Sequence, residues 1–460
     1  MVKEMKKTSL GLLPNDWDVD ILEHRLKIQT GSRNTEDKQE NGKYPFFVRS
    51  SKIEHIGTYH YDCEAILTAG DGVGTGKVFH YINGKFDAHQ RVYILTEFEG
   101  IKGKYFYYYF RENFLKEVSK YTAKSSVDSV RRDMIAKMAV PIPKIEEQVA
   151  IAEALSDVDS LISSLQKLIE KKKAIKQGAM QELLTGRKRL PGFSGEWKHG
   201  VWKDVLTGFY SGATPYRGKA DYYKGNIRWV SSGELNYNII TDTIEHISER
   251  AQSETSLTMH PAGTFLMAIT GLEAAGTRGS CAILGKEATT NQSCMAIYGT
   301  DKMVIPYLYH YYLLNGERLA FQYCQGTKQQ SYTAAIVKEL PIYYPCDIAE
   351  QRAIAQVLSD MDSEIELLEK KLAKYQQIKQ GMMQELLTGR IRLVDADVKK
   401  SPEAHMVREK QHQPTHNQHF DDAVMIAGIV NAFYSEKYPL GRKKVQKLLY
   451  LVRRKEQADI

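Results

Sequence analysis

The stretch GDGVGTGK at 70–77 is the part of the chain whose residue types most resemble a chemical motif. A phosphate-binding P-loop needs Gly-x-x-x-x-Gly-Lys followed by Ser or Thr. Asp71 stands where the first glycine belongs and Val78 follows the lysine, so the stretch does not meet this requirement. We interpret it as a glycine-rich hairpin or loop between two strands. The alternative is a glycine loop that lies close to a DNA backbone, with Lys77 at a phosphate.

Signatures of catalysis are missing from the rest of the sequence. There is no Asn-Pro-Pro-Tyr or Asp-Pro-Pro-Tyr methyltransferase motif, and IYYPCD at 342–347 does not match one. No Asp…Glu-x-Lys nuclease pattern and no helicase motif stands out. We therefore predict that the chain catalyses no reaction by itself.

Metal-binding and compartment signals are weak. His405, His412, His416 and His419 have partly metal-like spacing, but they lie in a polar stretch without Cys, which favours a solvated linker over a metal site. The 5 cysteines are never in C-x-x-C spacing, which predicts a reduced, cytoplasmic protein without structural zinc. No apolar run approaches the roughly 18 residues of a membrane span, and the N-terminus lacks the apolar core of a signal peptide.

Basic and amide side chains in loops could read nucleic-acid bases, since Arg suits guanine, Asn and Gln suit adenine, and Lys suits phosphate or guanine. The net charge of +7 is only a weak sign of an acidic partner, so local patches must carry this hypothesis. The candidates in the first half are Arg49, Ser50, Lys52, Lys77, His89, Arg91, Lys124, Arg131 and Arg132. The candidates in the second half are Arg217, Lys219, Arg228, Ser231, Ser232, Arg278, Asn291, Gln292, Lys328, Gln329 and Gln330. For each residue taken alone, a solvated surface role is the alternative.

One stretch occurs twice and must position these side chains. Residues 147–190 and 350–393 align without a gap and are identical at 28 of 44 positions. Such self-similarity predicts two halves, each a variable segment followed by the same helix. Gly186 and Gly389 stand where a C-terminal cap belongs. Each helix would span about 38 residues, or roughly 57 Å.

Apolar residues in both copies follow the 3,4 spacing of a coiled-coil seam, so we expect the two helices to bury these stripes against each other. The stripe residues are Leu155, Val158, Ile162, Leu165 and Ile169 in the first copy and Leu358, Met361, Ile365, Leu368 and Leu372 in the second. The lysines at 171–173 are interpreted as a solvated face; contact with DNA or a partner is the alternative.

The variable segments share a plan of short strands, glycine turns and one aromatic helix. HQRVYIL at 89–95 parallels NQSCMAIY at 291–298, and EAILTA at 64–69 parallels GTFLMAIT at 263–270. The aromatic runs at 104–118 and 307–323 are predicted to be core helices rather than base-stacking surfaces. GTKQQS at 326–331 matches YTAKSS at 121–126 and is our best single candidate for base reading. The two segments are predicted to share one α/β fold.

The repeated motifs carry a family resemblance. EEQVAIAEALSDVDSLI, QELLTGRKRLPGFSGEW, AEQRAIAQVLSDMDSEI and QELLTGRIRL resemble the specificity subunit of type I restriction–modification enzymes, over about residues 10–393. The resemblance implies a mixed α/β protein with two target recognition domains, separated by two long antiparallel helices with pseudo-twofold symmetry. The implied segments are 1–145 and 199–346 for the domains, 146–198 and 347–393 for the helices, 394–422 for a linker, and 423–460 for a helical extension.

The same resemblance implies the partners. Double-stranded DNA would be read as a bipartite, asymmetric site, with the helices setting the gap between its halves. Two methyltransferase subunits would dock on the helices and bring S-adenosylmethionine, restriction subunits would join through the complex, and this chain would bind no cofactor. Separately, GRKKVQKLLYL at 441–451 resembles the start of a Panacea-type antitoxin domain. The alternative function is a coiled-coil interaction scaffold linked to a toxin–antitoxin system.

Overall fold

The computed structural model describes residues 4–72, 74–121, 129–272, 278–325 and 330–393. Within them the chain forms two compact units. Unit 1 contains the described residues up to Gln166 and those from Lys371 to Leu393, and unit 2 contains those from Lys167 to Lys370. Each unit therefore combines one sheet-rich domain with the first half of one long helix and the second half of the other.

The domain of unit 1 contains ten strands and two helices among its described residues. The strands are β1 Met5–Thr8, β2 Gly11–Pro14, β3 Asp18–Ile21, β4 Lys27–Thr30, β5 Tyr44–Phe47, β6 Ile53–Ile56, β7 Tyr61–Ala69, β8 Phe79–Ala88, β9 Val92–Thr96 and β10 Ala139–Ile142. The helices are α1 Gly103–Ser119 and α2 Arg132–Ala136, and the long helix α3 Ile145–Leu183 follows. The main sheet has the order β4-β9-β7-β8-β5-β6, in which only the β5/β8 pair is parallel. The loop 70–77 joins the antiparallel strands β7 and β8, which confirms the hairpin interpretation of the glycine-rich stretch.

The domain of unit 2 follows the same plan with one interruption. Its strands are β11 Trp197–Val201, β12 Thr207–Ser211, β13 Ile227–Val230, β14 Asn238–Ile240, β15 Glu245–Ile247, β16 Phe265–Ala268, β17 Cys281–Leu284, β18 Thr289–Thr290, β19 Cys294–Tyr298 and β20 Pro341–Pro345. Its helices are α4 Trp202–Val205, α5 Glu249–Glu254, α6 Ile305–Tyr323 and α7 Ala334–Lys338, followed by the long helix α8 Ile348–Leu386. The continuous strand β8 of unit 1 corresponds to two short strands, β17 and β18. The sheet therefore divides into β12-β19-β16-β17-β14 and a smaller β15-β13-β18.

Aromatic residues hold each core together, as the sequence predicted. In α1, Tyr105, Phe106, Tyr109 and Phe110 are buried, because residues four apart share one face of a helix. In α6, Tyr307 and Tyr311 are buried in the same way. Large aromatic side chains each remove a substantial apolar area from water, which makes these helices the centre of the two cores.

The long helices run antiparallel within each unit. In unit 1, Lys379 on α8 lies 2.5 Å from Asp159 on α3, and the later residue Arg392 pairs with the earlier residue Glu147. Higher numbers on one helix thus meet lower numbers on the other. In unit 2, Lys176 pairs with Asp362 and Arg189 with Glu350, so the same direction holds there. Both helices have 39 residues, and Gly186 (φ 69°) and Gly389 (φ 65°) follow their ends with positive φ, as their predicted capping role requires.

The apolar stripes are buried or half-buried, but part of them faces a domain. Leu155 and Val158 belong to the core of the unit 1 domain, together with Met382 and Met383 from the far end of α8. Leu358 occupies the corresponding place in unit 2, with Met180 and Leu183. The expectation that the two stripes are buried against each other is therefore wrong for Leu155, Val158 and Leu358, which lie in a domain core. Each domain core is closed by helix segments from both halves of the chain.

Candidate nucleic-acid interface

Three main-chain hydrogen bonds gather four segments of unit 1 at one place. The main-chain nitrogen of His89 donates to the carbonyl oxygen of Phe47 (2.9 Å). The nitrogen of Gly70 donates to the carbonyl oxygen of Arg91 (2.8 Å), and the nitrogen of Val130 donates to the carbonyl oxygen of Gly70 (2.7 Å). We call the resulting surface rim 1, formed by residues 47–52, 70–77 except Val73, 89–92 and 129–132. Close approach shapes it, because a Cβ added at Gly74 would lie 2.2 Å from the oxygen of Arg49.

Rim 1 brings together the described candidates from the first half of the sequence. Arg49, Ser50, Lys52, Lys77, Arg91, Arg131 and Arg132 are exposed or half-exposed there. Arg131 and Arg132 stand at the start of α2, and Lys52 lies 3.2 Å from Glu54. Lys124 lies outside the described residues. The excess of cations makes this surface suited to a polyanion.

His89 has a structural part in rim 1. It is buried, and burial lowers its pKa, so the imidazole is neutral near pH 7. Its Nδ1 accepts a hydrogen bond from the main-chain nitrogen of Arg91 (3.0 Å). In a neutral ring whose Nδ1 accepts, Nε2 carries the proton. The side chain therefore fixes the turn that presents Gln90 and Arg91.

Unit 2 contains the same scaffold. The main-chain nitrogen of Asn291 donates to the carbonyl oxygen of Val230 (2.8 Å). The nitrogen of Ile269 donates to the carbonyl oxygen of Ser293 (2.9 Å), and the nitrogen of Tyr332 donates to the carbonyl oxygen of Ile269 (2.8 Å). Each of these bonds has a counterpart in unit 1. The side chain of Asn291 also takes the role of His89, because its Oδ1 accepts a hydrogen bond from the main-chain nitrogen two residues later, that of Ser293 (3.0 Å). We call this surface rim 2, formed by residues 230–234, 269–272, 291–293 and 330–334.

Rim 2 collects the polar candidates of the second half. Ser231, Ser232, Asn291, Gln292 and Gln330 lie on it. Arg278 reaches it by donating from Nε to the oxygen of Leu272 (2.9 Å) and from Nη2 to Gln330 Oε1 (3.3 Å). Lys328 and Gln329 lie outside the described residues, so our best single stretch from the sequence, 326–331, stays a prediction.

Three predicted residues belong to a separate small lobe built on the buried side chains of Tyr222, Trp229 and Ile247. Arg217 makes two hydrogen bonds to Glu245 (2.5 and 2.8 Å) and lies over the ring of Tyr223 at 4.3 Å. Lys219 lies 3.1 Å from Glu254, and Arg228 lies 3.4 Å from Asp242. Carboxylates of the lobe thus engage all three. Arg217, with side-chain exposure of 55%, still offers one guanidinium edge to solvent.

Sequence reasoning missed two residues of rim 1, Asp71 and Gln90. Asp71 was considered only as a mismatch to a P-loop, yet it accepts from both Arg49 and Arg91. Gln90 donates to Asn34 Oδ1 (2.9 Å) and occupies the position of Gln292. The alignment of HQR at 89–91 with NQS at 291–293 could have identified Gln90. No sequence signal marks Asp71, because its partners are distant in the chain.

A known protein family matches both halves of the chain. The family model for the type I restriction modification DNA specificity domain matches residues 14–177 and 195–378, which is more than half of the chain. The chain belongs to this family. Each matched range covers one domain and most of the helix that follows it, so the family unit is present twice.

Individual relatives carry related names. The chain is 30% identical to the type I restriction enzyme EcoDI specificity subunit of Escherichia coli over 177 residues, which are 38% of this chain and 39% of that protein. It is 24% identical to the putative type I restriction enzyme MjaX specificity subunit of Methanocaldococcus jannaschii over 424 residues, or 85% of this chain and 97% of the relative. A crystal structure of a type I restriction–modification S subunit from M. genitalium matches with a TM-score of 0.59 at 14% identity, covering 84% of this chain and 99% of that one. The similarity to this crystal structure shows a shared fold.

These findings confirm the mixed α/β fold and the non-catalytic, DNA-recognising role predicted from the sequence, and they do not favour the scaffold alternative. The rims are the surfaces on which most of the described candidates from the sequence lie. None of the described helices combines the length and the apolarity that crossing a membrane would require.

Proposed function

We propose that the chain is the subunit that reads a bipartite, asymmetric site in double-stranded DNA for a type I restriction–modification complex, with rim 1 reading one half-site and rim 2 the other. One observation carries this proposal: identical main-chain hydrogen bonds support two rims whose side chains differ. Phosphate contacts position a protein, whereas contacts to base edges specify a sequence. Two rims with different side chains would therefore read two different half-sites.

The long helices support the proposal on partners. The helix sequences are identical at 28 of 44 positions, so they offer nearly the same surface twice. Two copies of one methyltransferase subunit would dock there, each supplying S-adenosylmethionine, and restriction subunits would join through them. This chain would bind no cofactor of its own, and the complex would work in the cytoplasm. The helices would set the gap between the half-sites, as the resemblance implies.

The C-terminal residues 394–460 lie outside the described residues. The linker at 394–422, the helical extension at 423–460 and its resemblance to a Panacea-type antitoxin domain stay predictions. Truncation after Leu393, followed by measurement of target methylation in the reconstituted complex, tests whether this tail contributes. We expect methylation to stay within a few-fold of the full chain.

The central experiment reconstitutes the full chain with the methyltransferase subunit of its own restriction–modification system and sequences the methylated sites. The expected result is a two-part motif with a fixed gap, and no methyl transfer by the isolated chain. Methylation without any sequence preference, or without a requirement for this chain, would refute the proposal. A preference in one half-site only would refute the assignment of one half-site to each rim.

A further inference from the structure

Two arginines of rim 1 share one carboxylate. Arg49 Nη1 lies 2.9 Å from Asp71 Oδ1, and Arg91 Nη1 lies 2.5 Å from Asp71 Oδ2. The side chain of Asp71 is 22% exposed, whereas Arg49 is 43% and Arg91 60% exposed. The carboxylate thus lies behind the two guanidinium groups, which extend outward to solvent.

The carboxylate of Asp71 stays ionised throughout the physiological range. Its partial burial alone would raise the pKa, but the hydrogen bonds and charges of Arg49 and Arg91 outweigh this and lower the pKa. The main chain fixes its position, because Asp71 forms an isolated antiparallel bridge with Ser129 and directly follows Gly70, which is hydrogen-bonded on both sides. Asp71 is therefore a fixed anchor for two long, otherwise mobile side chains.

Two guanidinium groups that one carboxylate holds in place are suited to the recognition of guanine. A guanidinium has five N–H donors, and Asp71 accepts from one nitrogen of each group. The remaining donors can form the bidentate contact to O6 and N7 of guanine in the major groove, which is the commonest specific contact of arginine. A guanidinium fixed before binding also loses less conformational entropy when it meets the base.

The corresponding positions of rim 2 do not form a cluster of two arginines and one carboxylate. The matching hydrogen bonds align Arg49 with Ser232, Asp71 with Thr270, and Arg91 with Ser293. Thr270 even repeats the isolated bridge of Asp71, since it pairs with Ser331. Three hydroxyl groups thus replace the two cations and their anion on the same backbone. Hydroxyls discriminate bases weakly, because they both donate and accept.

We propose that Asp71 is a positioning residue that orients Arg49 and Arg91 against guanine in the half-site read by rim 1. This inference rests on the proposed function and deepens it. The half-site of rim 1 contains at least one guanine whose recognition depends on Asp71. The half-site of rim 2 shows no such dependence at the corresponding positions.

The test uses the reconstituted methyltransferase complex with the variant Asp71→Asn. The matched control is Asp20→Asn, because Asp20 has nearly the same exposure (23%) and also pairs with an arginine, Arg25 at 2.6 Å. It lies on β3, in a different sheet from β7. We expect Asp71→Asn to lower discrimination at guanine positions of the first half-site by about tenfold or more. The second half-site should be read as before, and Asp20→Asn should leave both half-sites unchanged.

A second measurement tests whether the protein contacts the N7 atom of guanine. Replacing single guanines of the first half-site by 7-deazaguanine removes the N7 acceptor. We expect wild type to lose about tenfold in affinity for such probes, whereas Asp71→Asn and the double variant Arg49→Gln, Arg91→Gln should show little further loss. Thermal unfolding of the free chains controls for folding, and Asp71→Glu, which keeps the charge, should recover part of the discrimination.

Three results would overturn the inference. The first is a first half-site without guanine on either strand, and the second is a wild type indifferent to 7-deazaguanine. The third is an Asp71→Asn variant that binds every sequence more tightly with unchanged discrimination, since Asp71 would then only weaken phosphate contacts. Failure of the proposed function looks different, because wild type itself would then show no two-part motif.

Discussion

The two rims have one scaffold and two sets of side chains. Main-chain nitrogen and oxygen atoms form the three bonds that assemble each rim, and those bonds are nearly independent of which side chain stands at each position. Rim 1 is cationic and organised by Asp71, whereas rim 2 presents mainly hydroxyl and amide groups, with the guanidinium of Arg278 bound to Gln330. Side chains can therefore differ at the rim while the main-chain scaffold below it stays the same.

The contacts between domain and helix are, by contrast, repeated in side-chain detail. In unit 1, Gln148 accepts from Lys102 N (2.7 Å) and donates to Pro143 O (2.9 Å). In unit 2, Gln351 accepts from Val304 N (3.0 Å) and donates to Pro345 O (2.9 Å). These glutamines are buried, so an unsatisfied amide there would cost about 1–3 kcal/mol.

A buried ion pair anchors each unit, but the two differ in their surroundings. Glu147 is fully buried and pairs with Arg392, which also binds Asp16 (2.9 and 3.0 Å), while Trp17 Nε1 donates to Glu147 (2.9 Å). In unit 2, Glu350 pairs with Arg189 at 2.5 and 2.6 Å. Arg189 is 27% exposed, compared with 11% for Arg392.

Removing the cation of the buried ion pair in unit 1 should have the strongest effect. Arg392→Met would leave Glu147 buried without its cation, and we expect a loss of about 3–5 kcal/mol in the free energy of unfolding of unit 1. Arg189→Met should destabilise unit 2 by less, because water reaches that pair more easily. Urea unfolding of the full chain, followed by tryptophan fluorescence, measures both. Equal losses in the two variants would contradict the comparison.

The next effect depends on pH. His310 in unit 2 takes the place of Tyr108, and burial lowers its pKa to about 4. Because the folded pKa lies below the unfolded value of about 6.5, the stability contribution is complete above pH 6.5 and is lost as the pH falls towards 4. At pH 5 the loss should be about 2 kcal/mol.

His310→Gln, which cannot take up a proton, should reduce this acid destabilisation. The free energy of unfolding is measured between pH 7.5 and 5, with the more exposed His246→Gln as the control variant. An unchanged pH dependence in His310→Gln would show that His310 does not titrate as a buried group.

A smaller effect concerns the two matched glutamines of the rims. Gln90→Ala should relax reading of the first half-site only, and Gln292→Ala reading of the second only. We expect about a tenfold loss of discrimination, near the lower end of the usual range, because Asn34 and Thr214 already engage part of each amide. Each variant is the control for the other in methylated-site sequencing. Equal damage to both half-sites would mean that the rims do not read independently.

The smallest effect is expected on the solvent side of the long helices. Lys172 lies 2.6 Å from Glu364 in unit 2, and their side chains are 34% and 48% exposed. The corresponding residues of unit 1, Tyr375 and Leu161, pack on the domain core instead. Lys172→Gln should change the free energy of unfolding by less than about 0.5 kcal/mol, since exposed ion pairs contribute little. A double-mutant cycle with Glu364→Gln checks it; a coupling above about 1 kcal/mol would be contrary to expectation.

Local sequence patterns are sufficient to predict several parts of this protein. The 3,4 spacing of Leu155, Val158 and Ile162 and the cap glycine Gly186 are sufficient to predict a long helix, since both act within a few residues. Because the pattern recurs at 350–393, it predicts a second long helix. The alignment of 89–95 with 291–298 identified equivalent strands, which the matching hydrogen bonds confirm. The glycine-rich hairpin followed from residue types alone.

Contacts between residues that are distant in the chain follow from the tertiary structure and not from local patterns. Asp71 contacts Arg49 and Arg91 because the hairpin of β7 and β8 returns beside the end of β5 and the start of β9. Met382 and Met383 close a core made by residues more than two hundred positions earlier, because α8 runs antiparallel to α3 in unit 1. Strand register and helix direction are set by the summed burial of many side chains, and no local pattern records that sum.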